Sequence, residues 1–229
     1  MKFVSKIQVA GTDETREAQV FPCDDLAVTL WHRKIHTPYI APGGGLDASW
    51  HWPRIVLGTS LSELALGRRA LAYQLRVEGP GGNAVPVAQA LYSVPYYYPG
   101  DLRRRCVFVW YISAAPAAAL AAQGVHERFA LMGPLLDTAI QLSVSYGLEG
   151  RIGLHAATGK SAKQNAALVQ RYLDQGLTQR VKTSKYFSRP ARKDDGKFFY
   201  FTEAQAASYA SKYDCLRSAD PTPLPGDVP

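Results

Sequence analysis

Residues 128–177 read RFALMGPLLDTAIQLSVSYGLEGRIGLHAATGKSAKQNAALVQRYLDQGL, and this stretch decides the fold. Apolar residues recur at helical spacing in its first and last parts, and a short apolar run separates them. This pattern predicts a helix, a buried strand and a second helix. A tight turn precedes each helix, at Gly133 and at Gly159. Because the first turn of a helix presents unpaired N–H groups and the positive end of the helix dipole, each turn is a candidate phosphate site.

Outside this stretch the sequence predicts three successive strands upstream, joined as an antiparallel meander, and a strand and a capped helix downstream. The predicted strands span residues 2–9, 17–21, 69–78, 84–92, 105–113, 151–156, 181–187 and 197–202, with 95–101 as the second connection of the meander. The predicted helices span residues 24–36, 53–66 with a break near Gly58, 116–123, 134–146, 162–174 and 203–212. Thr202 and Gln205 match a capping box at the start of the last helix.

These elements predict the α/β (α+β) fold class, with a mixed, mainly antiparallel central sheet flanked by helices. Residues 1–217 show no internal repeat and no second core, so a single domain is expected. Residues 218–229 contain four prolines and no apolar pattern, which is typical of a disordered tail.

The net charge is +7, and basic side chains concentrate in residues 180–197. The seven are Arg180, Lys182, Lys185, Arg189, Arg192, Lys193 and Lys197. Two interpretations remain: this basic segment binds a tRNA, an acidic protein or a phosphorylated cofactor, or it is a solvated loop and strand face.

Residues 1–10 alternate apolar and polar side chains and contain neither a signal-peptide core nor a membrane span. We therefore expect a cytoplasmic protein without a membrane partner. The three cysteines are far apart, which argues against a disulfide framework. Cys23, His32 and His36 resemble part of a metal site, but no fourth ligand is evident, and no metal is expected.

Residues 37–52 form a long irregular segment that is rich in proline and glycine and ends with Trp50, His51 and Trp52. Long loops in compact domains are often functional. Two interpretations remain here as well: the indoles form the wall of a substrate pocket, or a mobile loop is pinned by two buried tryptophans.

The segment from Gly153 to Ser161, GLHAATGKS, lies between a predicted strand and a predicted helix, where a nucleotide-binding P-loop belongs. A Walker A loop has four residues between its first glycine and Gly-Lys, whereas this segment has five. No apolar strand that ends in an acidic residue follows. The segment is therefore interpreted as an ordinary turn, with nucleotide binding as an alternative.

The turn before Pro134 and the following elements match a known family better. Arg128 is followed by two residues, then Leu131, Met132 and Gly133. Together with the meander, the buried strand and the second helix, this order resembles the GNAT superfamily of N-acetyltransferases. The pyrophosphate loop of that family reads Arg or Gln, two residues, Gly, one residue, then Gly or Ala. Arg128 and Gly133 match its ends, and Leu131 stands where the family has its first glycine.

The second helix carries Asn165, then Tyr172 seven residues later, then Gly176 and Leu177, a spacing that GNAT members also show. Seven residues is almost two helical turns, so Asn165 and Tyr172 project from one face. The resemblance implies that Arg128, Leu131, Met132, Gly133 and Asn165 contact coenzyme A. It also implies that Tyr172 is the general acid that protonates the departing thiolate.

The amine must lose a proton before it attacks, and His155 is the candidate base because it is the one histidine of this core stretch. His126 and Glu127 are weaker candidates, a water chain is a further possibility, and a structural role for His155 remains open. Leu131 crowds a site of close backbone approach and Pro134 removes one N–H, which predicts weaker CoA binding.

The resemblance thus implies transfer of acetyl from acetyl-CoA, as co-substrate, to a primary amine by direct attack in a ternary complex. The acceptor is expected to be a small-molecule amine, a peptide or protein amine, or an aminoacyl-tRNA, and the chain a monomer or homodimer. The alternatives are a non-catalytic GNAT-like binding module, which Leu131 and Pro134 favour, and a nucleotide-binding protein.

Overall fold

The computed structural model describes residues 2–159, 161–182, 186–188 and 192–217. Ten strands are present in these ranges: β1 Lys6–Gln8, β2 Thr15–Pro22, β3 Arg69–Glu78, β4 Ala84–Tyr98, β5 Asp101–Ala114, β6 Ile152–His155, β7 Thr178–Gln179, β8 Tyr186–Ser188, β9 Arg192–Lys193 and β10 Phe198–Phe201. Six α-helices accompany them: α1 Asp25–Trp31, α2 Trp52–Ala65, α3 Ala117–Ala121, α4 Met132–Ser145, α5 Ala162–Asp174 and α6 Glu203–Ser211.

Eight strands form one sheet in the order β1-β2-β3-β4-β5-β6-β10-β7, and β8 and β9 form a separate pair. Every neighbouring pair in the large sheet is antiparallel except β5 and β6. The predicted fold class, a mixed and mainly antiparallel sheet with flanking helices, is confirmed.

The parallel pair is short. β5 and β6 pair only from Val107 with Ile152 to Val109 with Leu154, and beyond that point the two strands part. On the other side of β5 the register with β4 skips Trp110. Such a β-bulge bends its strand and increases the local twist. The bulge therefore lies at the position where β5 leaves β6.

Strand alternation divides the buried side chains between the two faces of the sheet. Val107 and Val109 of β5 belong to the main core, which includes buried side chains from α1, α4 and α6. Cys106 and Phe108 point to the opposite face and pack with Phe198 in a smaller aromatic cluster. Each fully buried side chain of this size contributes about 1.5–3 kcal/mol.

Several predicted boundaries are wrong. β4 and β5 extend to a tight turn at residues 99–100, because the β4 residue Tyr98 is buried and donates its hydroxyl to the carbonyl of Phe201 at 3.1 Å. α2 is not broken at Gly58, since one helical glycine costs only about 1 kcal/mol. After α1 the chain continues as a π-type helix, His32–Ile40, which includes Pro38.

Other predictions hold. β3 and α5 have the predicted bounds, and Thr202 and Gln205 form the capping box. The strand predicted over 181–187 is not the one that joins the large sheet here, since β7, which precedes this range, pairs with β10. Residues 183–185 of the predicted strand lie outside the described ranges. The predicted tail, 218–229, also lies outside them. No helix in the described part of the chain is long and apolar enough to cross a membrane.

Candidate functional site

A cleft of about 750 Å³ opens where β5 and β6 part. Its lining comes from these two strands, the start of α4, one face of α5 and the loop that precedes α2. Of the seven predicted site residues, five contribute to the lining: Leu131, Met132, Gly133, His155 and Tyr172. The two others, Arg128 and Asn165, do not belong to it.

The start of α4 forms one wall of the cleft. Leu131 is its N-cap residue and supplies no side-chain hydrogen bond, and Pro134 in the first turn has no N–H to offer. Within the described ranges, the N–H groups of Met132 and Gly133 have no hydrogen-bond partner. Two donors and the positive end of the helix dipole therefore face the cleft, an arrangement that favours an anion.

Tyr213 explains why residue 133 is a glycine. A Cβ added at Gly133 would lie 1.8 Å from the Tyr213 hydroxyl oxygen, so any larger side chain would clash with that ring. Tyr213 also lines the cleft, and burial raises the pKa of its hydroxyl. No local sequence pattern indicates this contact, because Tyr213 lies far from Gly133 along the chain.

A buried ion pair fixes the segment that contains Tyr213. Arg217 donates two hydrogen bonds of 2.6 Å to the two carboxylate oxygens of Asp137, a fully buried residue of α4. Arg217 also bonds to the carbonyls of Lys2 and Ala210. The end of the described chain is thus tied to both α4 and the N-terminal segment.

Tyr172 of α5 forms another part of the lining and is 8% exposed. Its ring lies 5.3 Å from the ring of Phe199, and burial raises the pKa of its hydroxyl to about 12. The phenol is therefore protonated at neutral pH, as a general acid must be. The neighbouring Arg171 is exposed and also lines the cleft. Sequence reasoning missed Arg171, because its position in the helix does not set it apart from the other polar side chains.

His155 is the last residue of β6 and packs its ring against Phe198 at 4.6 Å. As expected, its side chain points to the face opposite Leu154. Its Nε2 lies 3.0 Å from Oδ1 of Asp195, so a carboxylate orients the imidazole. The weaker base candidates, His126 and Glu127, lie outside the cleft lining.

Asn165 and the turn at Gly159 are engaged with each other. Oδ1 of Asn165 accepts a hydrogen bond of 2.6 Å from the N–H of Gly159, and Oγ of Ser161 accepts one of 3.2 Å from the N–H of Gln164. The turn thus leads into an ordinary capped helix, and Lys160 lies outside the described ranges.

Arg128 is held through its backbone. Its carbonyl accepts a hydrogen bond of 2.7 Å from the N–H of Ala10, and its side chain is exposed. The structure therefore does not bring Arg128 to the first turn of α4 as a lining residue.

The two tryptophans of the loop differ. Trp50 lines the cleft and packs edge-to-face on Tyr111 at 4.8 Å, whereas Trp52 is fully buried at the start of α2. Trp50 thus contributes to the wall of the cleft and Trp52 to the core, and whether the loop contacts a substrate stays a prediction. Asp47 of the same loop also lines the cleft, and sequence reasoning missed it because no motif surrounds it.

Part of the basic segment serves the fold. Arg180 pairs with the buried Asp194 at 3.2 Å and donates to the carbonyl of Pro99, and Lys197 donates to Thr158. Within the ranges that the structure describes, no group of three side chains is placed to hold a metal ion.

No known family matches the sequence, and no curated protein matches it. Among solved structures the chain is similar to a spermidine N-acetyltransferase from Vibrio cholerae in complex with CoA and spermine. The identity is 13%, 83% of this chain and 98% of that chain are covered, and the TM-score is 0.48. A KacTA–DNA complex is similar at 12% identity over 86% of this chain and 99% of that chain, with a TM-score of 0.47.

A mutant AtaT toxin bound to the C-terminus of the antitoxin AtaR and acetyl-CoA is similar at 9% identity. The match covers 83% of this chain and 96% of that chain, with a TM-score of 0.44. These are likenesses of fold.

Proposed function

We propose that the chain is an N-acyltransferase that moves acetyl from acetyl-CoA to a primary amine by direct transfer in a ternary complex. One observation carries this proposal: the cleft at the parting of β5 and β6 combines the unpartnered N–H groups at the start of α4 with the buried phenol of Tyr172.

The lining fits such a co-substrate. The N–H groups of Met132 and Gly133 would receive the pyrophosphate, with the exposed Arg171 as a cation nearby on the cleft. The backbone of β5 at residues 110–112 lines the cleft where β6 no longer pairs with it. An extended arm can lie against such a strand edge as an additional strand does. The cleft volume, about 750 Å³, is within the usual range for small-molecule sites.

In the reaction, the amine nitrogen attacks the thioester carbonyl carbon, a C–N bond forms, and the C–S bond breaks with release of the thiol. Tyr172 would donate its hydroxyl proton to the departing sulfur. His155, oriented by Asp195, would accept the proton that the amine loses. Asn165 would act indirectly, since it fixes the turn at Gly159.

A comparison of ligands tests the proposal. A ligand that binds only the folded state at about 100 times its Kd stabilises the protein by about 2.7 kcal/mol. Acetyl-CoA should therefore raise the melting temperature and Mg-ATP should not. A rise with Mg-ATP alone would instead support nucleotide binding at Gly159.

Tyr213 favours a second candidate, a non-catalytic GNAT-like binding module. Its hydroxyl crowds Gly133, where the pyrophosphate would approach the backbone. In that case acetyl-CoA gives no stabilisation, or binds without transfer to any amine. Single-turnover assays with acetyl-CoA and a panel of primary amines separate this candidate from the enzyme.

A further inference from the structure

The loop before α2 carries a carboxylate to the cleft, and that carboxylate is held in place by the fold. Oδ2 of Asp47 accepts a hydrogen bond of 2.5 Å from the hydroxyl of Ser113 on β5. Its main-chain carbonyl lies 2.8 Å from Nε2 of His36 and accepts the N–H of Trp50 at 2.9 Å. Such a group needs little reorganisation when it binds a ligand.

The charge of Asp47 is not compensated within the part of the chain that the structure describes. No ion pair there involves Asp47, and no hydrogen bond reaches its Oδ1. Asp47 is the one carboxylate among the described lining residues, and it lies close to Trp50 in a half-buried position. Because a partly desolvated carboxylate gains most from a cation, the ligand group that fits is positively charged.

The position of Asp47 along the cleft separates it from Tyr172. The ring of Tyr172 packs on Phe199, which pairs with Leu154 at the last paired position of β5 and β6. Ser113, the partner of Asp47, is four residues beyond that position on β5. At the rise of an extended strand, about 3.3 Å per residue, this separation is about 13 Å. Asp47 is therefore too far from Tyr172 to hold the amine that reacts.

We propose that Asp47 binds a second, non-reacting ammonium group of the acceptor, so that the acceptor is an aliphatic diamine or a longer polyamine. This inference rests on the proposed function, because it assigns the acceptor of the same site. A hydrogen bond to Asp47 takes up roughly 3 Å of the separation. The two nitrogens are then roughly 10 Å apart, which a chain of about seven methylene groups spans.

Matched amines test this assignment. Heptane-1,7-diamine and 1-aminoheptane have the same chain length, and only the diamine carries a second charge. With acetyl-CoA, the wild-type protein should prefer the diamine by about tenfold or more in kcat/KM. In Asp47→Asn, which retains an oxygen for Ser113, the KM for the diamine should rise until the preference is lost, with the KM for acetyl-CoA unchanged. Asp174→Asn, which alters an exposed carboxylate outside the cleft lining, is the control and should retain the preference.

A binding measurement decides the question without turnover. In calorimetric titration with heptane-1,7-diamine, Asp47→Asn should bind at least about tenfold more weakly than wild type and Asp174→Asn. Equal binding by wild type and Asp47→Asn, or equal wild-type kcat/KM for both amines, would overturn the inference. Asp47-dependent binding without acetyl-CoA binding would refute the proposed function and leave the diamine site standing. Acetylation of both amines at equal rates would refute the diamine site and leave the proposed function standing.

Discussion

The first turns of α4 and α5 differ in what their N–H groups contact. At α5, Ser161 caps the helix and Asn165 binds the N–H of Gly159, so donors at this turn are used within the protein. At α4, Leu131 offers no cap, and the N–H groups of Met132 and Gly133 have no partner in the described ranges. The turn that contains the Gly-Lys-Ser motif thus uses the N–H groups of Gly159 and Gln164 within the protein, whereas the start of α4 has no side-chain cap and lines the cleft.

The two helices also differ in how they are held. α4 is mostly buried and carries the fully buried Asp137, whereas α5 presents much of its surface to solvent and buries Tyr172 alone. A ligand site at the start of α4 is therefore built on a rigid element. The following predictions concern this difference.

The largest expected effect on activity follows from Tyr172→Phe. Loss of a general acid lowers kcat by about 10²–10⁴. Because the change removes only a hydroxyl, the Kd for acetyl-CoA should stay within about twofold. Single-turnover kinetics and calorimetry measure the two quantities.

Tyr98→Phe is the matched control for that change. It also removes a buried hydroxyl, but one that bonds to the carbonyl of Phe201 outside the cleft lining, so kcat should be retained. Equal losses of kcat and acetyl-CoA affinity in Tyr172→Phe would make Tyr172 a structural residue.

Asp137→Ala should cause the largest loss of stability. It removes the fully buried partner of Arg217 and leaves this arginine with only the exposed Asp214, and breaking a buried ion pair in this way costs about 3–5 kcal/mol. Urea unfolding at equilibrium measures the change. Glu17→Ala, which breaks the exposed pair with Lys6, should cost less than about 1 kcal/mol. Similar costs for the two variants would show that the ion pair does not fix the start of α4.

Gly133→Ala should destabilise the protein by about 1–3 kcal/mol, because the new methyl group overlaps the Tyr213 hydroxyl. Gly58→Ala is the control: no neighbouring atom would contact its Cβ, and removing a glycine from a helix stabilises by about 0.5–1 kcal/mol. Adding Tyr213→Phe to Gly133→Ala should recover part of the loss. Strict additivity of the two changes in thermal unfolding would exclude this contact as the cause.

The smallest effect is expected at the start of α5. Ser161→Ala removes a helix cap and should cost about 1 kcal/mol of unfolding free energy. The Kd for acetyl-CoA should not change, because the proposed phosphate site lies at the start of α4. If calorimetry showed loss of acetyl-CoA binding in Ser161→Ala, the assignment of the two helix starts would have to be reversed.

Local patterns account for the parts of the fold that the sequence predicted correctly. The bounds of α5 followed from helical spacing and the cap at Ser161, and β3 from its flanking turns. The bulge at Trp110 and the full length of the β4–β5 hairpin were not predictable, since they depend on pairing and packing between distant segments.

The candidate site shows the same division. Leu131, Met132, Gly133, His155 and Tyr172 lie in one continuous stretch, and spacing and resemblance selected them as candidates that the structure places in the cleft lining. Asp47 and Tyr213 reach the cleft only through tertiary structure: Asp47 contacts Ser113 across 66 positions of sequence, and Tyr213 reaches Gly133 from beyond α6. No local pattern encodes such contacts.

Amide hydrogen exchange with and without acetyl-CoA tests the central claim most directly, because it reports on both helix starts in one experiment. The proposed function predicts that saturating acetyl-CoA slows exchange at the N–H groups of Met132 and Gly133 and leaves that of Gly159 unchanged. Slower exchange at Gly159 alone, or no change at either helix start, would contradict it.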